Sequence, residues 1–210
     1  MDRVADSFAY PFRRGAGRAW LIGIPLVVLL PLGVVPLLGY AVAVVRSAAT
    51  DPKAGLPPWR PLRRLLVEGL LVALIILVLT APFVLLASAF APSTGRLFAA
   101  VSDPFLRRGL GLVIAAAAAA FPWGILLLVL VPPATARFAR SGHVADLVNV
   151  AAAVRTVRRR FATWNLVVVA IVTAWAIGLC GLGLALVGVV PGILYAILVS
   201  AHATASLADA

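Results

Sequence analysis

LLVEGLLVALIILVLTAPFVLLASAFA, residues 65–91, is the stretch that decides the fold. Its only ionisable side chain is Glu68, about one turn from the start. A helix rises about 1.5 Å per residue, so roughly 20 apolar residues cross a hydrocarbon core about 30 Å thick. This run is longer than that, and longer than a buried strand or core helix of a soluble domain requires. Residues 109–131, which contain the unbroken alanine run Ala115 to Ala120, pass the same test. Residues 164–205 are too long for one crossing and suit two, at 164–180 and 183–206. Gly178, Gly181 and Gly183 would form the hairpin between them.

Composition agrees with this reading. The 210 residues are 63% hydrophobic and 12% charged, with a mean hydropathy of +1.10. Soluble domains are nearer half apolar and about a quarter charged. A net charge of +11 in a soluble protein would point to nucleic acid. Here the basic residues stand between the apolar runs or ahead of the first, where they set topology and meet anionic headgroups. The expected partners are membrane lipids with anionic headgroups, and a homo-oligomer or another membrane protein, rather than nucleic acid. Little lysine beside much alanine and arginine is associated with a prokaryotic source.

Residues 20–45 form the first apolar run. Arg13, Arg14 and Arg18 precede it and Ala41-Val42-Ala43 loosely resembles a cleavage site. The long n-region carries Asp2 and Asp6, however, and Pro25, Pro31 and Pro36 interrupt the run, so a retained segment is expected. Whether it crosses is an argument about charge. The basic head, residues 1–19, holds Arg3, Arg13, Arg14 and Arg18; the connection 46–64 holds Arg46, Lys53, Arg60, Arg63 and Arg64. Arg96, Arg107 and Arg108 lie in the next connection, and Arg137, Arg140, Arg155, Arg158, Arg159 and Arg160 in the segment 137–163. A single crossing splits them 11 to 7. A run that turns back near Pro31 and Pro36 puts 15 on one face and 3 on the other, a far stronger positive-inside bias. Each arm would be roughly a dozen residues, about 18 Å, too short to span, so the hairpin must pack on other helices.

The expected fold is therefore an all-α integral membrane protein, one multi-pass domain of the cell membrane. An N-terminal re-entrant or half-spanning hairpin at 20–45 is followed by four transmembrane helices, with both termini cytoplasmic. Within the polar segment 137–163, Leu147, Val150, Val154, Val157 and Phe161 recur at spacings of three and four. Arg155, Arg158 and Arg159 fall largely off that stripe, and Arg160 adjoins Phe161. This predicts an amphipathic helix over 143–161, either lying in the headgroup plane or packed on the bundle as a solvated loop helix.

Candidate sites are few. Arg155, Arg158, Arg159 and Arg160, with Arg60, Arg63 and Arg64 of the first connection, are the candidates for lipid or partner contact. Ionisable groups in a span are often functional, but Glu68 is shallow and Arg64 lies four residues before it, so an interfacial i,i+4 pair is expected. Gly188 to Gly192, and Ala174 with Gly178, have the small-x-x-x-small spacing of close helix packing. Cys180 is the single cysteine, and His143 and His202 lack metal-ligand companions, so neither disulfide, metal nor cofactor is expected. No nucleophile elbow, zincin motif, phosphate loop or carboxylate pair is present in the sequence, which argues against an enzyme.

Gly39-Tyr40, then Arg46, Leu56-Pro57 with Trp59, and Leu65 and Gly69 opening a helix form a pattern. A basic segment ending in Trp164-Asn165 follows later. Together they resemble domain-of-unknown-function family 4013, prokaryotic multi-helix membrane proteins without an assigned activity. The resemblance implies the membrane fold and implies no function. The residues favour a non-enzymatic scaffold, sensor or assembly factor with a basic cytoplasmic face for anionic lipid or an acidic partner. A small transporter or permease subunit acting as an oligomer is the alternative, motivated by the broken first run.

Overall fold

The computed structural model describes residues 2–184 and 188–208, and among them it has helices and no strand. The longer helices are α1 (Ala16–Val28), α2 (Val34–Thr50), α3 (Leu62–Gly95), α4 (Pro104–Ser141), α5 (Val150–Arg159), α6 (Phe161–Cys180) and α7 (Val189–Thr204). Four helical stretches among the described residues are long and apolar enough to cross a membrane: Leu62–Phe98, Pro104–Ser141, Phe161–Cys180 and Val189–Leu207. This is the all-α membrane architecture expected from the apolar runs. Residues 185–187 of the predicted span 183–206, and the chain ends at residue 1 and residues 209–210, lie outside the described residues.

The chain divides into two compact units, Met1–Ala73 with Leu130–Ala210, and Leu74–Val129. In the first, α6 and α7 form a tight pair, and α1 and α2 pack against α7. The small residues noted in the sequence make the closest approach. A Cβ added to Gly178 would meet the carbonyl oxygen of Gly192 at 2.5 Å, and Ala174 and Ala196 are fully buried nearby. The spacing thus serves packing within the chain. Leu37, Tyr40, Val42, Val44 and Val45 of α2 and Leu194, Leu198 and Val199 of α7 are buried core residues.

The first apolar run becomes two short helices, α1 and α2, joined near Leu30 to Gly33. The flanks of this run are tied to each other. Leu56 donates its backbone N–H to the Arg14 carbonyl at 2.9 Å, and Arg13 donates to the Pro52 carbonyl at 2.7 Å. Tyr10 sits fully buried beneath, its ring stacked on His202 at 4.3 Å, and His202 Nδ1 and Ser7 Oγ are hydrogen-bonded at 2.8 Å. Burial pushes the Tyr10 hydroxyl above the ordinary tyrosine range, with the Arg13 charge pulling the other way. Head, first connection and the end of α7 therefore meet in one place.

The predicted continuous helix over 143–161 is divided. Gly142, at φ +71°, ends α4 in the left-handed conformation that glycine tolerates. A single turn, Ala145–Val148, follows. Asn149 then accepts the Ala152 N–H at 2.9 Å and starts α5 afresh as its N-cap. An asparagine carbonyl offers the first turn an acceptor that a continuing helix would leave unused, so local capping overrides the periodicity. Leu147 is buried, whereas Val150, Val154 and Phe161 are exposed, so most of the apolar stripe is not packed on the bundle.

The second unit, Leu74–Val129, is made of the later part of α3, the earlier part of α4 and the turn between them. Thr94 donates its hydroxyl to the Gly111 carbonyl at 2.6 Å, and the Trp123 indole donates to the Thr80 hydroxyl at 3.0 Å. A Cβ on Gly111 would meet the Ala91 carbonyl oxygen at 2.5 Å, so the two helices touch there backbone to backbone. Leu77, Val78, Leu85, Val113 and Phe121 are all exposed, as side chains facing lipid are.

Candidate functional site

Gly39 and Gly69 set the crossing of α2 with the start of α3. A Cβ on Gly39 would collide with the Leu65 carbonyl oxygen, and one on Gly69 with that of Val35. Tyr40 beside this crossing donates its hydroxyl to the Pro57 carbonyl at 2.8 Å and stacks on Trp59 at 4.0 Å, nearly parallel. Leu56 is buried under the same loop. The residues that carried the family-like pattern are thus the ones that lock α2, the first connection and α3 together.

One turn and a half beyond Tyr40, α2 presents Arg46. Its two terminal nitrogens grip both oxygens of Glu68, Nη2 to Oε1 at 2.7 Å and Nη1 to Oε2 at 3.2 Å. Its Nε donates to the Ala139 carbonyl near the end of α4 at 2.9 Å. Arg64 adds the expected i,i+4 contact, Nε to Oε1 at 2.7 Å. Glu68 is 7% exposed, so this carboxylate is withdrawn from water and offset by two guanidinium groups. The i,i+4 rule finds Arg64 from sequence but is blind to Arg46, which arrives from another helix.

Arg46 and Arg64 border a cleft of about 640 Å³, lined also by Ala49, Thr50, Ala139, Arg140, Ser141 and Gly142. Arg140 donates to the Ala208 carbonyl. Arg46 and Arg64 set two guanidinium groups against the Glu68 carboxylate, a net charge of about one. The exposed carbonyl end of α4 supplies about half a negative charge, so the cleft stays cationic. Chemically it can take an anion with oxygen acceptors, phosphate above all, because arginine forks match tetrahedral oxyanions.

Of the other basic candidates, Arg60 and Arg63 are exposed on the loop and the start of α3, outside the cleft lining. Arg155, Arg158 and Arg159 are exposed on α5, and Arg160 lies between α5 and α6. Arg137 is drawn inward, donating to the Asp146 and Asn149 carbonyls at 3.0 and 3.2 Å, and so pins the turn before α5. Among the described residues no group of three His, Cys, Asp or Glu is placed to hold a metal ion. Arg140 is the residue the sequence reading missed, since its role depends on where α4 ends.

A family model described as a protein of unknown function, DUF4013, matches residues 22–188. Nothing among the curated proteins or the solved structures matches significantly.

Proposed function

Taking as premise that the chain belongs to the DUF4013 family, we propose that it is a non-enzymatic scaffold or assembly factor of the cell membrane whose basic cytoplasmic face holds anionic lipid headgroups. The observation that carries this reading is the arginine cleft. Its side chains are held in place by Glu68 and by main-chain carbonyls before any ligand arrives, so little conformational entropy is lost on binding. A headgroup phosphate at this site would join α2, α3 and α4 through one ligand.

The hydrogen bonds between the head and the first connection support a topology in which residues 20–45 enter the membrane and return. α1 has 13 residues and α2 has 17, about 20 and 26 Å of helix, both shorter than the hydrocarbon core. With both termini, the first connection and 137–163 cytoplasmic, the cleft lies at headgroup level. The exposed Val150, Val154 and Phe161, beside Arg155, Arg158 and Arg159, favour a helix resting in the headgroup plane over one packed on the bundle. Single cysteines in a Cys180→Ala background test the topology. Those at Asp2, Lys53 and His143 should label from the cytoplasm and one at Ser93 from outside; Asp2 and Lys53 on opposite faces would sink the hairpin.

Lipid binding is tested on delipidated protein in neutral detergent. Phosphatidylglycerol should bind and raise the unfolding temperature, and phosphatidylcholine should not. Arg64→Gln should weaken that binding roughly tenfold, the value of one charge-assisted hydrogen bond of about 1.4 kcal/mol. Equal stabilisation by both lipids, or no response to Arg64→Gln, would overturn the assignment.

A further inference from the structure

The second unit has a cleft of its own, about 700 Å³, at the turn between α3 and α4. Its rim carries Arg96, Arg107 and Arg108, and its wall includes Ala91, Pro92 and Leu112. These are all the basic residues of that connection, gathered at one cleft instead of dispersed along the turn. Arg96 and Arg108 are exposed and Arg107 is half-buried. None of the three guanidinium groups makes a hydrogen bond or ion pair to another described residue. The one acidic residue nearby, Asp103, is occupied in capping α4, accepting the N–H groups of Phe105 at 2.8 Å and Leu106 at 3.3 Å.

Three arginines on this connection run against the charge bias of the rest of the chain, and the bias would be cleaner without them. A cationic rim above an apolar wall, at the end of two apolar helices, matches one ligand class: a phosphate followed at once by hydrocarbon. We infer that this cleft binds a single anionic glycerophospholipid, the phosphate on Arg96, Arg107 and Arg108 and an acyl chain along Ala91, Pro92 and Leu112. The binding chemistry stands on this unit alone. Only the choice of leaflet, the outer one, rests on the topology proposed above.

Two sites of like chemistry can be counted and separated. Native mass spectrometry of delipidated protein titrated with phosphatidylglycerol should show two bound lipids. Arg107→Gln/Arg108→Gln should remove one, with at least a tenfold weaker second step, and Arg64→Gln should weaken the other. Arg107→Lys/Arg108→Lys, which keeps the charge, should recover most of the loss. A phosphatidylglycerol carrying a photoreactive acyl chain should crosslink within residues 88–112. Two lipids still bound to the double glutamine variant, or crosslinking elsewhere, would overturn the site. Glycerol phosphate competing as well as the intact lipid would overturn the acyl-chain assignment. A single bound lipid that responds to Arg107→Gln/Arg108→Gln and not to Arg64→Gln would strike the cytoplasmic reading and leave this one standing.

Discussion

Alanine in place of Gly39 is expected to cost at least about 3 kcal/mol, at or beyond the upper end of the usual overpacking range. The added methyl carbon would collide with the Leu65 carbonyl oxygen. A crowded side chain can rotate away, but here the neighbour is main chain in the first turn of α3, so the helices themselves must separate. Gly69→Ala should behave alike, because its methyl would strike the Val35 carbonyl oxygen and approach the Gly39 nitrogen at 2.7 Å. Separation would also pull Arg46 away from Glu68, so the cleft should lose its lipid along with its stability. Gly124 is the control. Nothing lies within 4 Å of its added Cβ, so Gly124→Ala should gain up to about 1 kcal/mol from helix propensity. Thermal unfolding of the three variants in one detergent decides the matter, and Gly39→Ala unfolding with Gly124→Ala would refute the crossing argument.

These glycines show what was legible in the sequence and what was not. Gly39 and Gly69 stood out as parts of a family-like pattern, yet only the crossing explains why no side chain fits there. The apolar runs located the four long helices, because burying backbone in hydrocarbon forces helix wherever such a run persists. They do not fix the helix ends. Residues 109–131 predict a span, whereas α4 runs from Pro104 to Ser141, since backbone hydrogen bonding does not stop where hydropathy falls. Charge counting predicts that residues 20–45 turn back, and the Arg14–Leu56 hydrogen bond ties the two flanks of that run together. Asn149 carries no signal in the periodicity, which weighs side-chain hydropathy and ignores a capping carbonyl. The cleft was half legible: Arg64 and Glu68 are sequence neighbours, but Arg46 and Arg140 reach it from helices far along the chain.

Glu68→Gln is the substitution that separates the cleft's two roles. The carboxylate accepts three charge-assisted hydrogen bonds, two from Arg46 and one from Arg64. Removing one member of a buried ion pair costs about 3–5 kcal/mol, because its partner is left uncompensated. Some of that is relieved here by water. The Arg46 side chain is 26% exposed, and Arg64, at 52%, can turn to solvent and contributes less than about 1 kcal/mol. A loss of about 2–4 kcal/mol is expected for Glu68→Gln, against less than about 1 for Arg64→Ala. The effect on ligand has the opposite sign. Neutralising the carboxylate that Arg46 and Arg64 share raises the cleft's positive charge, so the folded variant should hold phosphatidylglycerol at least as tightly as the parent while melting earlier. Arg46→Ala should weaken both, since it removes a cation from the cleft and strands Glu68. If Glu68→Gln lowers lipid affinity in step with stability, the arginines serve as struts for the helices, and the lipid assignment at this cleft fails. If the two properties move apart, Glu68 acts as the counter-ion that keeps a lipid site in shape while it is empty.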